Sequence, residues 1–289
     1  MNIRDLKYII SLAKQKNFAK SALESNVSQP ALSMQIKKLE DELKVKIFER
    51  DKKNFLITKT GEQIIDKAKQ IILLSDEIKK IAKNSHDPFA RELVIGAFPT
   101  LASYFFPKII NKINRKFNDL KIFLVEEKSE VLIKKLQDGE IDIAFLAMPS
   151  KAEFANHEKI FSENFLLATP LDHPLAKKKK IHYKDMIGLE LMLLIEGHCL
   201  HDQALQACNL IGAIPKTDFK ASSLETLRQM VIMGTGITLI PEIAVNKNDK
   251  IAYLPIVDAP KRTIGCYFRK SSIDIKLIKE IIKLSKEFL

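Results

Sequence analysis

The first 45 residues carry apolar side chains at helical spacing. Apolar positions recur at intervals of three and four, which predicts a first helix and a shorter second helix. Their apolar faces are Leu6, Ile9, Ile10 and Ala13, followed by Phe18, Ala19, Ala22 and Leu23. A third helix is predicted after Ser28, which can cap it, with Pro30 near the first helical position. Its buried stripe is Leu32, Ile36, Leu39 and Leu43.

A short helix, a tight turn and a longer capped helix are typical of a helix-turn-helix, whose second helix reads bases in the DNA major groove. A surface helix in an unrelated helical bundle gives the same periodicity, so the pattern leaves both possibilities open. On the DNA-binding interpretation, Gln29 and Ser33 are candidates for contacts with base edges. The predicted contact face of this helix comprises Ser28, Gln29, Pro30, Ser33, Met34 and Lys37.

Two short apolar runs, residues 47–50 and 55–58, flank a basic turn and predict a two-stranded wing. Arg50, Lys52 and Lys53 are the candidates for phosphate contacts in this wing. Residues 1–60 hold 13 Lys and Arg against 7 Asp and Glu, so they carry +6 of the net charge of +11. We therefore predict a winged helix-turn-helix DNA-binding domain over residues 1–60.

A long helix is predicted from Thr60 to about Asn84, and His86, Asp87 and Pro88 end it as a hinge. Its apolar positions alternate by four and three, which is typical of a seam between two helices. The seam consists of Ile64, Ala68, Ile71, Ser75, Ile78 and Ala82. Residues 61–87 are therefore predicted to be a linker helix that forms a homodimer, as reading a palindrome requires.

Beyond the hinge, apolar strands alternate with amphipathic helices, which favours a parallel α/β architecture covered on both faces. A second α/β unit starts near Leu166, and the last strand and helix return to the first unit. Residues 88–289 are therefore predicted to form a regulatory domain of two subdomains. Subdomain I covers residues 88–164 and 265–289, and subdomain II covers residues 165–264. A cleft between two such lobes is suited to sensing a small ligand.

The composition adds limited information. With 46% hydrophobic and 29% charged residues, the chain is globular rather than disordered, and the basic excess suits either a polyanionic partner or a merely soluble basic protein. No segment approaches the length of a membrane span, and the start lacks the features of a secretory signal. Only three cysteines occur, so we expect a reducing cytoplasm, no membrane association and no structural disulfide framework.

Cys199 and Cys208 are separated by eight residues, a spacing that small buried side chains also produce. A short helix predicted after Cys199 would place that thiol at a helix N-terminus, where the thiolate is favoured. His198 can donate a hydrogen bond to it, whereas Asp202 opposes ionisation unless a cation such as Arg262 pairs with it. The third cysteine, Cys266, lies in a predicted strand and is interpreted as packing. No metal-ligand spacing recurs among His157, His173 and His182, so neither a metal nor a cofactor is expected.

Several motifs together resemble the LysR family of transcription regulators. They are FAKSA at residues 18–22, VSQPALS at 27–33, QIKKLE at 35–40, FER at 48–50, TKTG at 58–61 and GTGITLIP at 234–241. Ser21 and Lys44 stand where the family frequently has alanine and glycine, which are small departures. The resemblance covers the whole chain. It implies an α/β fold with an N-terminal winged helix-turn-helix, a long linker helix and two Rossmann-like subdomains, similar to type 2 periplasmic binding proteins.

The block at residues 191–208, with SLETLR at residues 223–228, is similar to the peroxide-sensing members of that family. This resemblance implies that Cys199 attacks hydrogen peroxide and that Cys208 resolves the sulfenic acid to a disulfide, which thiol reductants reset. If residues 199–208 are helical, the two Cα atoms are ~14 Å apart, so the helix must unwind before the bond can form. The implied peroxide pocket consists of Thr100, Ser129, His198, Asp202 and Arg262, with Ser129 replacing the usual threonine. Asp218 replaces a histidine usual in that branch, which puts any role of that histidine in doubt here.

The resemblance also implies an activator of antioxidant genes that binds palindromic promoter sites on double-stranded DNA, contacts RNA polymerase and forms a homotetramer. Three alternatives remain open at this point. An ordinary LysR-type regulator would sense a small metabolite in its cleft. A thiol peroxidase would turn over peroxide with Cys199 but has no use for a helix-turn-helix. A solute-binding protein is less favoured because no export signal is evident.

Overall fold

The computed structural model describes residues 1–50, 55–83, 92–195, 205, 212–216, 219, 221–258, 261–272 and 274–287. The chain divides into two compact units, Met1–Asp87 and Pro88–Leu289. Across the described ranges, none of the helices combines the length and apolar character that crossing a lipid bilayer demands.

The first unit begins with three helices: α1, Ile3–Gln15; α2, Phe18–Glu24; and α3, Gln29–Leu43. The predicted cap of α3 is confirmed, because the Ser28 side chain accepts a hydrogen bond from the backbone of Ala31. The predicted apolar faces of α1 and α3 meet, although Ile10, Ala13 and Leu43 are only partly buried. The predicted face of α2 is wrong at Ala19 and Leu23, which are exposed, because only the side of α2 that contains Phe18 and Ala22 packs against the core. The fully buried centre of this unit includes Leu6, Ile9, Leu12, Leu32, Ile36 and Leu39.

The wing strands are β1, Phe48–Arg50, and β2, Phe55–Ile57, which pair antiparallel as predicted. The turn between them lies outside the described residues. Helix α4, Lys59–Lys83, is separated from β2 by the single residue Thr58. Its first residue is one position before the predicted start of the linker helix at Thr60.

The predicted dimer seam of α4 is wrong at Ala68, which is only 1% exposed and packs with Ile65 in the core of its own unit. A helix offers more than one apolar face, and α1 covers the face that contains Ala68. Other apolar side chains of α4 point to solvent. These are Ile71, Leu74 and Ile78, spaced by three and four residues.

The second unit is a sheet with helices packed against it. Its helices are α5, Pro99–Lys116; α6, Ser129–Gln137; α7, Leu224–Ile232; and α8, Ile275–Lys286. Its strands are β3, Glu92–Ala97; β4, Lys121–Glu126; β5, Ile143–Met148; β6, Ala155–Pro170; β7, Glu190–Met192; β8, Ile214–Pro215; β9, Ile237–Pro241; β10, Ile251–Pro255; and β11, Lys261–Arg269. Short 3-10 turns at Pro174–Lys177, Tyr183–Met186 and Glu242–Ala244 complete the described elements.

The expected parallel sheet is in fact mixed. The described strands follow the order β4-β3-β5-β11-β6-β9-β7-β8, with β10 paired to β6. Strands β4, β3 and β5 are parallel, but β6 is antiparallel to β11, β9 and β10. The sequence interpretation missed most of the sixteen-residue strand β6, because its first half contains the polar run Asn156–Lys159 and shows neither an apolar run nor a strict alternation.

The sheet supports two hydrophobic cores. One contains α5, α6, α8 and the strands around β5, and the other contains α7, β7, β9 and β10. Strand β6 passes from one core to the other, since Phe161 belongs to the first and Phe165 to the second. The side chains between them therefore lie where the two cores meet.

Candidate functional site

The outer face of α3 displays the side chains predicted to contact DNA. Gln29, Pro30 and Lys37 are exposed, and Met34 is 68% exposed despite being apolar. Ser28 is exposed as well, whereas Ser33 is partly buried. The helix thus carries a polar and basic N-terminal surface opposite an apolar stripe that is fully buried at Leu32, Ile36 and Leu39, as a recognition helix requires.

A buried carboxylate connects α3 to the wing. Glu40, which is 4% exposed, accepts hydrogen bonds from the backbone N–H groups of Ile47 and Phe48 at 2.8 and 3.0 Å. Lys46 lies 3.6 Å from its other oxygen. The backbone N–H groups at the start of β1 thus have hydrogen-bond partners, and the first wing strand is anchored to the recognition helix.

The TKTG motif holds the other end of the wing. The Thr58 hydroxyl donates to the carbonyl of Lys46 at 2.7 Å and accepts from the backbone N–H of Gly61 at 2.8 Å. Thr58 therefore caps α4 while closing the wing. Gly61 approaches the backbone of Ile47 so closely that a side chain there would collide with the carbonyl oxygen. Of the predicted wing contacts, Lys52, Lys53 and the side chain of Arg50 lie outside what the structure describes.

In the second unit, the junction of the two cores contains a buried ion pair. Arg262 on β11 lies opposite Glu163 on β6 in the strand register, and both are almost completely buried. The Nε and Nη2 atoms of Arg262 donate to Oε1 of Glu163 at 2.8 and 2.5 Å. Glu163 was missed by the sequence analysis, because one acidic residue in a polar stretch gives no sign that a distant arginine pairs with it. Arg262 was expected to balance Asp202, which lies outside the described residues; within the described part of the chain, the ion-pair partner of Arg262 is Glu163.

Arg262 also contacts a second predicted pocket residue. Its Nη1 donates to the hydroxyl of Thr100, in the first turn of α5, at 3.2 Å, and its guanidinium lies 5.5 Å from the centre of the Phe98 ring. The second oxygen of Glu163 accepts from the backbone N–H of Ile243 at 2.8 Å. The cluster is therefore neutral overall and hydrogen-bonded on several sides, as a buried charge pair must be.

Ser129 begins α6 at the same edge of the sheet as Thr100. Strands β3 and β4 are parallel neighbours, and Thr100 and Ser129 follow their carboxyl ends by three residues each. The Ser129 hydroxyl oxygen is buried and has no hydrogen-bond partner among the described residues. Buried polar atoms are normally satisfied, so this hydroxyl is available to a ligand or water.

The remaining predicted pocket residues, His198, Cys199 and Asp202, lie outside the described residues, as do Cys208 and Asp218. Cys266 is described: it is completely buried in β11 and unpaired. Burial raises the pKa of its thiol, and the nearby Glu158 raises it further. Its interpretation as a packing residue is confirmed.

Comparison with known proteins completes this description. Residues 3–62 match the model for bacterial regulatory helix-turn-helix proteins of the lysR family, and residues 86–289 match the LysR substrate binding domain. A hydrogen peroxide-inducible genes activator from Dickeya chrysanthemi is 40% identical, over 94% of this chain and 90% of that protein.

Two solved structures are similar over nearly the whole chain. Full-length OxyR from Pseudomonas aeruginosa, in a variant form, gives a TM-score of 0.79 at 32% identity and covers 99% of this chain and 95% of that one. A mutant OxyR from Corynebacterium glutamicum with hydrogen peroxide bound gives 0.63 at 29% identity, covering 99% and 94%. With both of its domains matched, this chain belongs to the LysR family of DNA-binding transcription regulators, which are not enzymes.

Proposed function

We propose that this regulator senses hydrogen peroxide in a reducing cytoplasm and activates antioxidant genes. The observation that carries this proposal is the 40% identity, over nearly the full length, to a protein named as the activator of hydrogen peroxide-inducible genes. The chain supplies the two cysteines that the chemistry needs, Cys199 and Cys208.

The chemistry has two steps. The Cys199 thiolate attacks one peroxide oxygen, so an S–O bond forms, the O–O bond breaks, and the departing oxygen takes a proton and leaves as water. The Cys208 thiol then attacks the sulfenic sulfur, which forms the S–S bond and releases a second water. Cellular thiols reverse the reaction by disulfide exchange. Peroxide supplies the oxidising equivalents, and no metal is needed.

The buried cluster of Arg262, Glu163 and Thr100 supports this proposal, because it includes a hydroxyl that can bind peroxide. Because the Thr100 hydroxyl accepts a hydrogen bond from Arg262, its own proton remains free to donate to a peroxide oxygen. The unpartnered hydroxyl of Ser129 is a second group that can serve peroxide in this way. We assign His198 and Asp202 to the same pocket, as the resemblance implies. Glu163 acts as a positioning residue, because it holds the guanidinium that orients Thr100.

Oxidation is proposed to act as a conformational switch. If residues 199–208 are helical, the two Cα atoms are ~14 Å apart, whereas a disulfide requires Cα atoms within ~7 Å, so the segment must rebuild. The rebuilt segment then changes how the subunits pack, and thereby how DNA and RNA polymerase are contacted.

Features of both units support the proposed DNA binding and the assembly of subunits. The outer face of α3, with Gln29 and the partly buried Ser33 as base contacts and Lys37 as a phosphate contact, reads each half of a palindrome. The exposed stripe on α4 forms the homodimer. A second exposed apolar surface, Phe123 and Leu124 on the edge strand β4, is available for two dimers to form a homotetramer.

Thiol trapping tests the proposal directly. The full chain is exposed briefly to low peroxide, blocked with an alkylating agent and mapped by mass spectrometry. We expect a bond between Cys199 and Cys208, with Cys266 free. A matched control is Cys266→Ser, which should respond to peroxide as the wild type does. If Cys208→Ser still changes its DNA footprint normally with peroxide, the disulfide switch is wrong, and a metabolite in the cleft becomes the signal to seek.

A further inference from the structure

A surface loop of the second unit concentrates basic charge. Residues 177–184 contain five lysines and no acidic residue. Outside the first 60 residues the chain has 34 Lys and Arg (47 less 13) against 29 Asp and Glu (36 less 7), a net charge of +5. This loop of eight residues therefore carries five positive charges, as many as the whole net charge of residues 61–289, to which it belongs. Such a cluster creates a local field that attracts polyanions.

The loop is ordered at its base. Ile181 is completely buried, its N–H donates to the carbonyl of Pro255, and its own carbonyl accepts from Val257, both at 2.9 Å. Met186 is buried as well. The lysines are therefore presented from a fixed backbone, so less entropy is lost when they bind a partner than in a disordered tail.

Most of this charge is not neutralised within the chain. Only Lys178 has an ion-pair partner among the described residues, with its Nζ 2.6 Å from Asp185. Asp185 also accepts from the backbone N–H of His182, and the two bonds lower the pKa of its carboxyl group. The neighbouring lysines are exposed and make no ion pair within the described part of the chain; they are Lys177, Lys179 and Lys180.

We propose that this loop contacts the DNA backbone outside the sites read by α3, through its lysines at residues 177–180. Lysine is a point charge suited to phosphate, and binding releases the counterions condensed on DNA. The chain is already held on DNA by its first unit, so even a weak contact from the second unit occurs at high effective concentration. A tethered, unpaired cluster of lysines is therefore best matched to the phosphates that flank the bound site.

The test compares two variants of the full chain with equal loss of charge. The loop variant is Lys177→Gln with Lys179→Gln and Lys180→Gln, which keeps the Lys178 pair. The control variant changes three exposed lysines of α8, Lys276, Lys279 and Lys283, to glutamine. Affinity is measured against salt on random-sequence duplexes of about 20 base pairs, enough for two half-sites, and about 60 base pairs, which add flanking phosphates.

On the long duplex, the loop variant should show a salt slope shallower by about 2 to 3, since each phosphate contact contributes about 0.9. On the short duplex it should match the wild type, and the control variant should match the wild type on both. Equal slopes for the loop variant and the wild type on the long duplex would overturn the proposal, as would an equal loss in the control.

Two further measurements, transcription in vitro and disulfide formation, distinguish DNA contact by the loop from a protein contact and from an effect on the peroxide response. If DNA binding is unchanged but transcription by purified RNA polymerase falls, the loop binds an acidic protein surface and the DNA proposal is wrong. Formation of the Cys199–Cys208 bond in the loop variant should proceed as in the wild type, so failure here leaves the proposed sensor function untouched.

Discussion

Arg262 donates two hydrogen bonds to one carboxylate oxygen of Glu163, and the two residues face each other across β11 and β6 where the two cores meet. Removing one member of a buried pair leaves the other charge without compensation. We expect Glu163→Gln to lower the free energy of unfolding by about 3 kcal/mol. Urea denaturation of the full chain measures this loss.

The double variant Glu163→Gln with Arg262→Met is the informative control, because it removes both charges. It should recover part of the lost stability while remaining defective in peroxide sensing. Breaking the exposed pair of Lys116 and Glu280 by Lys116→Gln should have little effect on unfolding. A Glu163→Gln protein as stable as the wild type would show that this pair does not stabilise the junction of the cores.

Cys266 should be unreactive in the folded protein. Burial raises the pKa of its thiol, so the thiolate, which is the reactive form, is scarcer than in an exposed cysteine at the same pH. Because the unfolded thiol ionises near pH 8.5, the stabilising contribution of this residue is complete below that pH and declines above it. In a Cys199→Ser, Cys208→Ser background, a thiol reagent should label Cys266 only after denaturant is added. Rapid labelling of the native protein at pH 8 would contradict this.

Cys266 and Arg262 differ in how well the sequence predicts their surroundings. Local patterns predicted the cap at Ser28, the wing strands and the packing role of Cys266, because each depends on neighbouring residues. The partner of Arg262 could not be predicted, since Glu163 is 99 residues away and the register of β6 with β11 depends on the whole sheet. Ala68 was misassigned for a similar reason: periodicity locates an apolar face but does not identify what covers it.

Gly61 should tolerate no side chain. A β-carbon at this position would collide with the carbonyl oxygen of Ile47 and press on the hydroxyl of Thr58. We expect Gly61→Ala to destabilise the first unit by about 1 to 3 kcal/mol and to weaken DNA binding, because the wing and the start of α4 must separate. Differential scanning calorimetry and binding to a promoter duplex measure the two effects. Lys79→Ala, at an exposed position of the same helix, is the matched control and should change neither.

The exposed stripe of α4 should hold the dimer together. Ile71, Leu74 and Ile78 are 38, 55 and 67% exposed, and their spacing by three and four residues places them along one side of the helix. In a helix pair these side chains become buried, so an aspartate there would be a desolvated charge without a partner. We expect Leu74→Asp with Ile78→Asp to halve the particle mass in analytical ultracentrifugation and to weaken binding to a palindrome far more than to a single half-site. Lys79→Asp adds a negative charge at an exposed position about 100° around the helix from Ile78 and should leave the mass unchanged. An unchanged mass for the double variant would instead mean that subunits associate through another surface, such as the exposed edge at Phe123 and Leu124.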